Sequence, residues 1–207
     1  MFITKVPVSL VSPSALALVG DRQSAHVAVA SSLPPLRSQD TSGGRTLWRI
    51  LASPKSLDVV VVSPCQPDVG TLSRAFGSSE SDAVSRPYTV ESAVATDTVF
   101  RFDVETNPAH NVRGGKHKNT RRAAEGLTGK LNWLAAQGES KGFSLDRTPE
   151  CESEIVKLRR PTGESSIVSA RFRGFLRVTD PDTFRGALFN GIGRGKAFGF
   201  GLILLSQ

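Results

Sequence analysis

The sequence predicts an α+β chain of two small units, each an antiparallel sheet covered by helices. Three observations predict it. The first half places strand-like and helix-like patterns in the order β-α-β-β-α-β, the second half repeats the theme less regularly, and 207 residues of which 39% are hydrophobic suffice for two cores.

Phe2, Thr4, Val6, Val8 and Leu10 alternate with Ile3, Lys5 and Pro7, which predicts a strand over residues 2–9 with the proline at an edge or irregular end. Asp21 is placed to cap the free amides of a helix that carries Ala25, Ala28, Val29 and Ser32 on one face and ends at Pro34-Pro35. His26 falls in its second turn. Thr46–Leu51 and Leu57–Val62 are rich in β-branched and large apolar residues around Ala-Ser-Pro-Lys-Ser, a hairpin pattern. A short helix over Val69–Phe76, a polar stretch from Gly77 to Arg86 and a strand over Thr98–Val104 complete the order, which is the ferredoxin-like plan.

The second half offers a helix over Ala123–Gln137, a strand near Gly142–Leu145, a long strand over Ile167–Val178, a helix opened by Asp180-Pro181 and a closing strand over Ala197–Leu205. There is no residue-level repeat. The fold class is therefore α+β, two tandem ferredoxin-like domains with antiparallel sheets. The division falls near residues 85–97, giving a domain over 1–90 that carries His26 and one over 91–207.

Two cysteines and three histidines make neither a disulfide framework nor a four-thiolate zinc site, so no metal or cofactor is expected and a reducing, cytoplasmic setting fits. The longest apolar run, Ala197–Leu205, is interrupted by two glycines and falls far short of a bilayer span, and the N-terminus makes a poor secretion signal. No membrane partner is expected.

The net charge of +7 is unevenly placed: residues 1–97 hold 8 basic and 8 acidic side chains, residues 98–207 hold 18 and 11. Between Thr106 and Ala124 there is no acid, and Arg113, Lys116, Lys118, Arg121 and Arg122 fall within ten positions alongside His110, His117 and Gly114-Gly115. A flexible basic loop over 106–124 suits a polyphosphate, because each cation displaces condensed counterions. An ordinary solvated charge run has the same composition.

The segment Gly191-Ile192-Gly193-Arg194-Gly195-Lys196-Ala197-Phe198-Gly199-Phe200-Gly201 is the most specific pattern. Glycines at alternate positions let backbone amides approach an anion flanked by Arg194 and Lys196. A tight turn before a packed terminal strand accounts for the glycines equally well. It is not a Walker loop, because Ala197 follows Lys196 where Ser or Thr is required, and this disfavours nucleotide hydrolysis.

This glycine-rich end, preceded by Phe175-Leu176-Arg177-Val178-Thr179-Asp180-Pro181, resembles the end of the CasE family, the CRISPR RNA-processing endoribonucleases of the type I-E Cascade complex. Further similarities follow in family order: Met1-Phe2-Ile3-Thr4-Lys5, the helix with His26, Leu47-Trp48-Arg49, Phe100-Arg101-Phe102 before Thr106-Asn107-Pro108, Trp133-Leu134 and Gly142-Phe143. The resemblance implies RNA-recognition-motif-like domains and metal-independent cleavage of a CRISPR repeat stem-loop. It also implies a mature crRNA kept bound beside other Cascade subunits, and no small-molecule cofactor.

Metal-free RNA cleavage uses the ribose 2′-hydroxyl as nucleophile and leaves a 2′,3′-cyclic phosphate and a 5′-hydroxyl. It needs a base for the 2′-proton, an acid for the leaving oxygen and cations for the phosphorane. Imidazole serves near neutral pH, and by the resemblance His26 matches the family's catalytic histidine. Without the resemblance, a histidine on a partly buried helix face is the plainer reading.

Two departures stand out. Many family members place a tyrosine three residues before the histidine, where Gln23 stands here; an amide positions an oxygen but exchanges no proton. The stretch from Val27 to Leu36 also lacks the Lys or Arg some relatives carry. Lys116, Lys118, Arg121, Arg194 and Lys196 remain as unranked sources of positive charge, with Arg113, His117, Arg122 and Gly193 as further RNA contacts. His117 is a rival base, lying between two lysines that depress its pKa. Trp48 and Trp133 lie in apolar periodic segments and are expected in the core rather than stacked on bases.

The main alternative is a non-catalytic RNA-binding subunit of the same fold, in which Gln23 marks a lost active site. A basic structural protein such as a ribosomal component would explain the charge but not the ordered similarities.

Overall fold

The structure is a computed structural model describing residues 1–35, 43–112, 120–160 and 163–206. The first sheet is built from β1 (Phe2–Pro7), β2 (Leu47–Ala52), β3 (Leu57–Ser63) and β4 (Val84–Pro87), in the order β2-β3-β1-β4 with antiparallel pairing throughout. Helices α1 (Pro13–Gly20), α2 (Arg22–Ser31) and α3 (Val69–Ala75) connect the strands in the β-α-β-β-α-β order, with two helices in the first crossover. The strand that closes this sheet is β4, within the stretch expected to be polar connection. The strand expected over Thr98–Val104 instead opens the second sheet.

That second sheet is formed by β5 (Val99–Thr106), β8 (Phe143–Leu145), β9 (Glu150–Arg160), β10 (Gly163–Val178) and β11 (Ile203–Ser206), in the order β11-β5-β10-β8 with β9 also paired to β10. Helices α4 (Gly126–Lys141) and α5 (Pro181–Asn190) cross between its strands. The hairpin of β6 (Ala109–Val112) and β7 (Thr120–Ala123) replaces a good part of the expected basic loop, because His110 pairs with Arg122 and Asn111 with Arg121 in regular register. The expected closing strand over Ala197–Leu205 is also corrected. Residues Lys196–Phe198 form a 3-10 turn, and Gly199 and Gly201 have φ of +80° and +87°, which extended backbone excludes, so pairing resumes at Ile203.

The local chemistry explains the elements that carry the site. Asp21 accepts from the Gln23 amide at 3.1 Å and from the Ser24 hydroxyl at 2.6 Å, fixing the start of α2. Asp180 caps α5 in the same way, accepting from the Asp182 and Thr183 amides. The valine run in β3 is buried on two faces: Val59 and Val61 pack with Trp48, Ala25 and Val29, whereas Val60 and Val62 pack with Leu47 and with Leu202 of the second unit. The packing against Leu202 joins the two units through carbon.

Charge joins them as well. The Arg22 guanidinium, at the first turn of α2, donates to Glu105 Oε1 at 2.5 Å and to the Phe198 carbonyl at 3.1 Å, and lies 4.6 Å from the centre of the Phe200 ring. Arg49, 1% exposed, reaches Asp103 at 2.7 Å, and Arg171 holds the same carboxylate through a fork at 2.6–3.2 Å. The helix with His26 is thus tied to β5 and to the glycine-rich segment.

Candidate functional site

His26 lies half-buried on α2 and lines a cavity of about 330 Å³ with Val29, Ala30, Leu33, Pro34, Pro35, Thr46, Trp48, Lys196 and Ala197. The wall comes from both units: α2 and the start of β2 from the first, the Lys196–Phe198 turn from the second. Burial pushes the His26 imidazole below its ordinary pKa, so it is neutral at pH 7 and able to accept a proton. Gln23, one turn earlier, is not among the cavity-lining side chains.

Lys196 is the one ammonium or guanidinium in that lining among the described residues. Its Nζ donates to the Gly193 carbonyl at 2.5 Å. Burial, and then the nearby charges of Arg45, Lys141 and Arg194, hold its pKa below the ordinary lysine value. Among the described residues no carboxylate pairs with any of these four cations. The sequence left Lys196 unranked among several cations; the fold brings it, and not Arg194, to the histidine's cavity.

The glycine-rich segment is shaped by packing. A Cβ on Gly199 would stand 3.0 Å from the Trp48 ring, and one on Gly201 would stand 2.3 Å from the Ile192 carbonyl oxygen. The Gly201 amide donates to the Glu105 carbonyl at 2.7 Å, and the Ile192 amide donates to the Gly201 carbonyl at 3.0 Å. Those two amides therefore hold the turn closed rather than standing free for an anion. Trp48 is fully buried, as expected, and its indole N–H has no partner among the described residues. Trp133 meets the expectation in part: it packs against the core of the second sheet but is only half-buried, donates to the Ala109 carbonyl at 3.3 Å and lies against Gly193.

Lys196 also lines a second depression of about 330 Å³ with Trp133, Gln137, Lys141, Gly193 and Arg194. Arg194, exposed, continues into a third of about 460 Å³ shared with Asn107, Arg122, Ser166 and Phe198. Gly193, Arg194, Lys196 and Arg122 of the expected RNA contacts thus converge on one track that runs from His26 across the glycine-rich turn. Arg113, Lys116, His117 and Lys118 lie outside the described residues, as does the side chain of Arg121. Arg45, Thr46, Gln137 and Lys141 are additions that sequence reasoning missed. Lys141 reads in sequence as a cation at a helix C-terminus before Gly142, with nothing to signal its neighbour across the fold.

The described residues include no cluster of three or more His, Cys, Asp or Glu able to hold a metal, and no helix long and apolar enough to cross a membrane.

Comparison with known proteins supplies the remaining finding. The chain is 26% identical over 219 residues to the CRISPR-associated endoribonuclease Cse3 of Thermus thermophilus, with 98% of each chain covered. Its fold matches a structure of CRISPR endoribonuclease Cse3 bound to a 19-nucleotide RNA with a TM-score of 0.83 at 24% identity, covering 100% of both chains. A chain of a CRISPR RNA-guided surveillance complex in a pre-nicking state matches with a TM-score of 0.69 at 18% identity, over 100% of this chain and 99% of that one. The family model for CRISPR-associated proteins spans residues 1–207, and the chain belongs to that family.

Proposed function

We propose that this protein is a metal-independent endoribonuclease that cuts CRISPR repeat RNA at the base of its stem-loop and keeps the product within an RNA-guided complex. The observation that carries the reading is the meeting of His26 and Lys196 in one cavity, one from each unit, in a chain whose curated relative is named an endoribonuclease.

Neutral His26 takes the proton of the 2′-hydroxyl, and the oxygen attacks the adjacent phosphorus. Lys196 offers its ammonium to the phosphorane oxygens, supplying from the second unit the charge that residues 27–36 lack. As the bond to the 5′-oxygen breaks, that oxygen takes a proton from Lys196 or from water, leaving a 2′,3′-cyclic phosphate and a 5′-hydroxyl. Gln23 stands outside the cavity lining, so its place where the family carries a tyrosine leaves the cavity that His26 and Lys196 share unchanged. Arg194, Arg122 and Lys141 bind stem and flanking phosphates, because the deep major groove of A-form RNA resists side-chain reading and leaves backbone contacts to give affinity.

The test is single-turnover cleavage of labelled repeat RNA in EDTA, beside RNA with a 2′-deoxy sugar at the nucleotide upstream of the cut, each repeated with His26→Ala. The expected result is cleavage of the all-ribose RNA only, and a loss of at least about a hundredfold for His26→Ala at unchanged affinity, within the usual range for acid–base loss. Tight binding without cleavage by the wild type would overturn the enzyme reading and leave an RNA-binding subunit.

A further inference from the structure

The cavity beside His26 has a lining of two kinds. Lys196 suits phosphate, but most of the remaining lining is carbon, from Ala30, Leu33 and Pro34 with the buried Val29 and Trp48 beneath them. An anion pressed against that wall would lose hydration with nothing in exchange. The part of an RNA strand with an apolar face is the nucleobase.

Attack by a 2′-hydroxyl requires its oxygen to lie opposite the leaving 5′-oxygen across phosphorus. A continuously stacked A-form strand does not offer that alignment, so a nucleotide next to the cut has to leave the stack and expose its ring. Proteins that read or act on such nucleotides hold the splayed ring against apolar or aromatic side chains and meet its polar edge with hydrogen bonds.

We propose that the His26 cavity is a nucleobase pocket that receives the unstacked base of the nucleotide immediately 5′ of the scissile phosphate. The proposal rests on the endoribonuclease reading and deepens it by naming what the apolar wall is for. The 5′ nucleotide is chosen because its ribose carries both this base and the 2′-hydroxyl that His26 deprotonates, so one docking event delivers the nucleophile to the imidazole. The volume of about 330 Å³ lies at the small end of ligand pockets and suits a single ring system. The Thr46 hydroxyl and the Lys196 ammonium supply the polar rim.

The experiment compares intact repeat RNA with RNA made abasic at the nucleotide 5′ of the cut, and separately at the nucleotide 3′ of it, using wild type and Ala30→Trp. Ala30 is exposed yet lines the cavity, so a larger side chain there fills the space while leaving the core alone. Wild type should lose roughly 5- to 150-fold in cleavage on the 5′-abasic RNA, the equivalent of one stacked base. Ala30→Trp should cut intact RNA more slowly by a similar factor, and the 5′-abasic change should then cost nothing further. Equal cleavage of intact and 5′-abasic RNA by wild type, or a penalty confined to the 3′-abasic RNA, overturns the proposal. If wild type binds intact RNA without cutting it, the endoribonuclease reading fails first. The same RNAs compared by affinity then decide whether the pocket holds a base, and equal affinity overturns it.

Discussion

Two groups of charges sit where the units meet, and they follow opposite plans. In the first, Arg22, Arg49 and Arg171 are matched by Asp103 and Glu105, with contacts of 2.5–2.7 Å and a further hydrogen bond from the Ser169 hydroxyl to Glu105 at 2.8 Å. In the second, Arg45, Lys141, Arg194 and Lys196 lie close enough for the other three to disfavour the Lys196 charge, and no carboxylate among the described residues answers them. The paired group is held by carboxylates of the protein itself, although Arg49 Nε and Nη1 have no hydrogen-bond partner among the described residues, and through Arg22 it ties the helix with His26 to β5. The unpaired group has no partner carboxylate among the described residues, and its Lys196 lines the His26 cavity, where the proposed RNA track begins.

The sharpest way to break the paired group is Asp103→Ala. Arg49, 1% exposed, would lose its 2.7 Å partner and keep only Glu105, 3.7 Å from its Nε, and Arg171 would lose its fork. Removing one partner of a buried pair costs about 3–5 kcal/mol, and the lower figure is expected here because the Asp103 side chain is 25% exposed. Urea unfolding measures it; a loss below about 1 kcal/mol would reduce the group to an ordinary surface pair. Burial raises the Asp103 pKa, but hydrogen bonds from Arg171 and Arg49 overcome it and hold the carboxyl below its ordinary value. The sign follows: this stability is present above about pH 3.9 and is lost as acid protonates the carboxylate below that.

Much of the frame that supports both groups is legible in the sequence, because it follows from local patterns. Asp21 as a cap, Pro34-Pro35 as a stop, the valine run of β3 and the Asp180-Pro181 start of α5 all act within a few residues of themselves. Two elements escape for the same kind of reason. Ser12-Pro13 is a sound helix start, and Ser12 does cap α1, but the apolar alternation from Phe2 to Leu10 masks it. The strand β9 has exposed Glu152, Glu154 and Lys157 and pairs across the hairpin with β10; its glutamates alternate with Cys151, Ser153 and the exposed Ile155, so it shows no buried apolar stripe there.

The site is less legible than the frame. His26 and the glycine-rich segment stand out by residue type and spacing, yet their meeting in one cavity depends on a contact between units far apart in sequence. The same holds for Arg49, an arginine within the edge strand β2 that is buried because Asp103 of the second sheet meets it. Alternating glycines signal bends, but only the approach of Trp48 to Gly199 shows why a side chain is excluded there.

A pH profile sharpens the comparison from the catalytic side. Because burial keeps His26 neutral to lower pH, single-turnover cleavage should rise with pH along a limb whose midpoint lies below about 6.5 and then level off. Because burial and neighbouring cations lower the Lys196 pKa, the rate should fall again on a limb below the ordinary lysine value of about 10.4. Each limb is worth tenfold per pH unit beyond its midpoint. A profile with no acid limb at any pH at which the protein stays folded would remove His26 as the base.

The smallest expected effect falls on the unpaired group, and it separates the two plans most directly. Lys141→Ala removes a cation with no carboxylate partner among the described residues from the last turn of α4, so folding stability should change by no more than about 0.5 kcal/mol, as for an ordinary surface site. RNA binding should weaken several-fold at low salt. The slope of log K against log salt should shrink by about 0.7–0.9, as it does when the protein neutralises one phosphate fewer. The same substitution takes away one of the charges that depress Lys196, so the alkaline limb of the rate profile should move to higher pH. An unchanged salt slope together with an unmoved limb would show that Lys141 faces solvent, not the track, and the unpaired group would shrink to Arg45, Arg194 and Lys196.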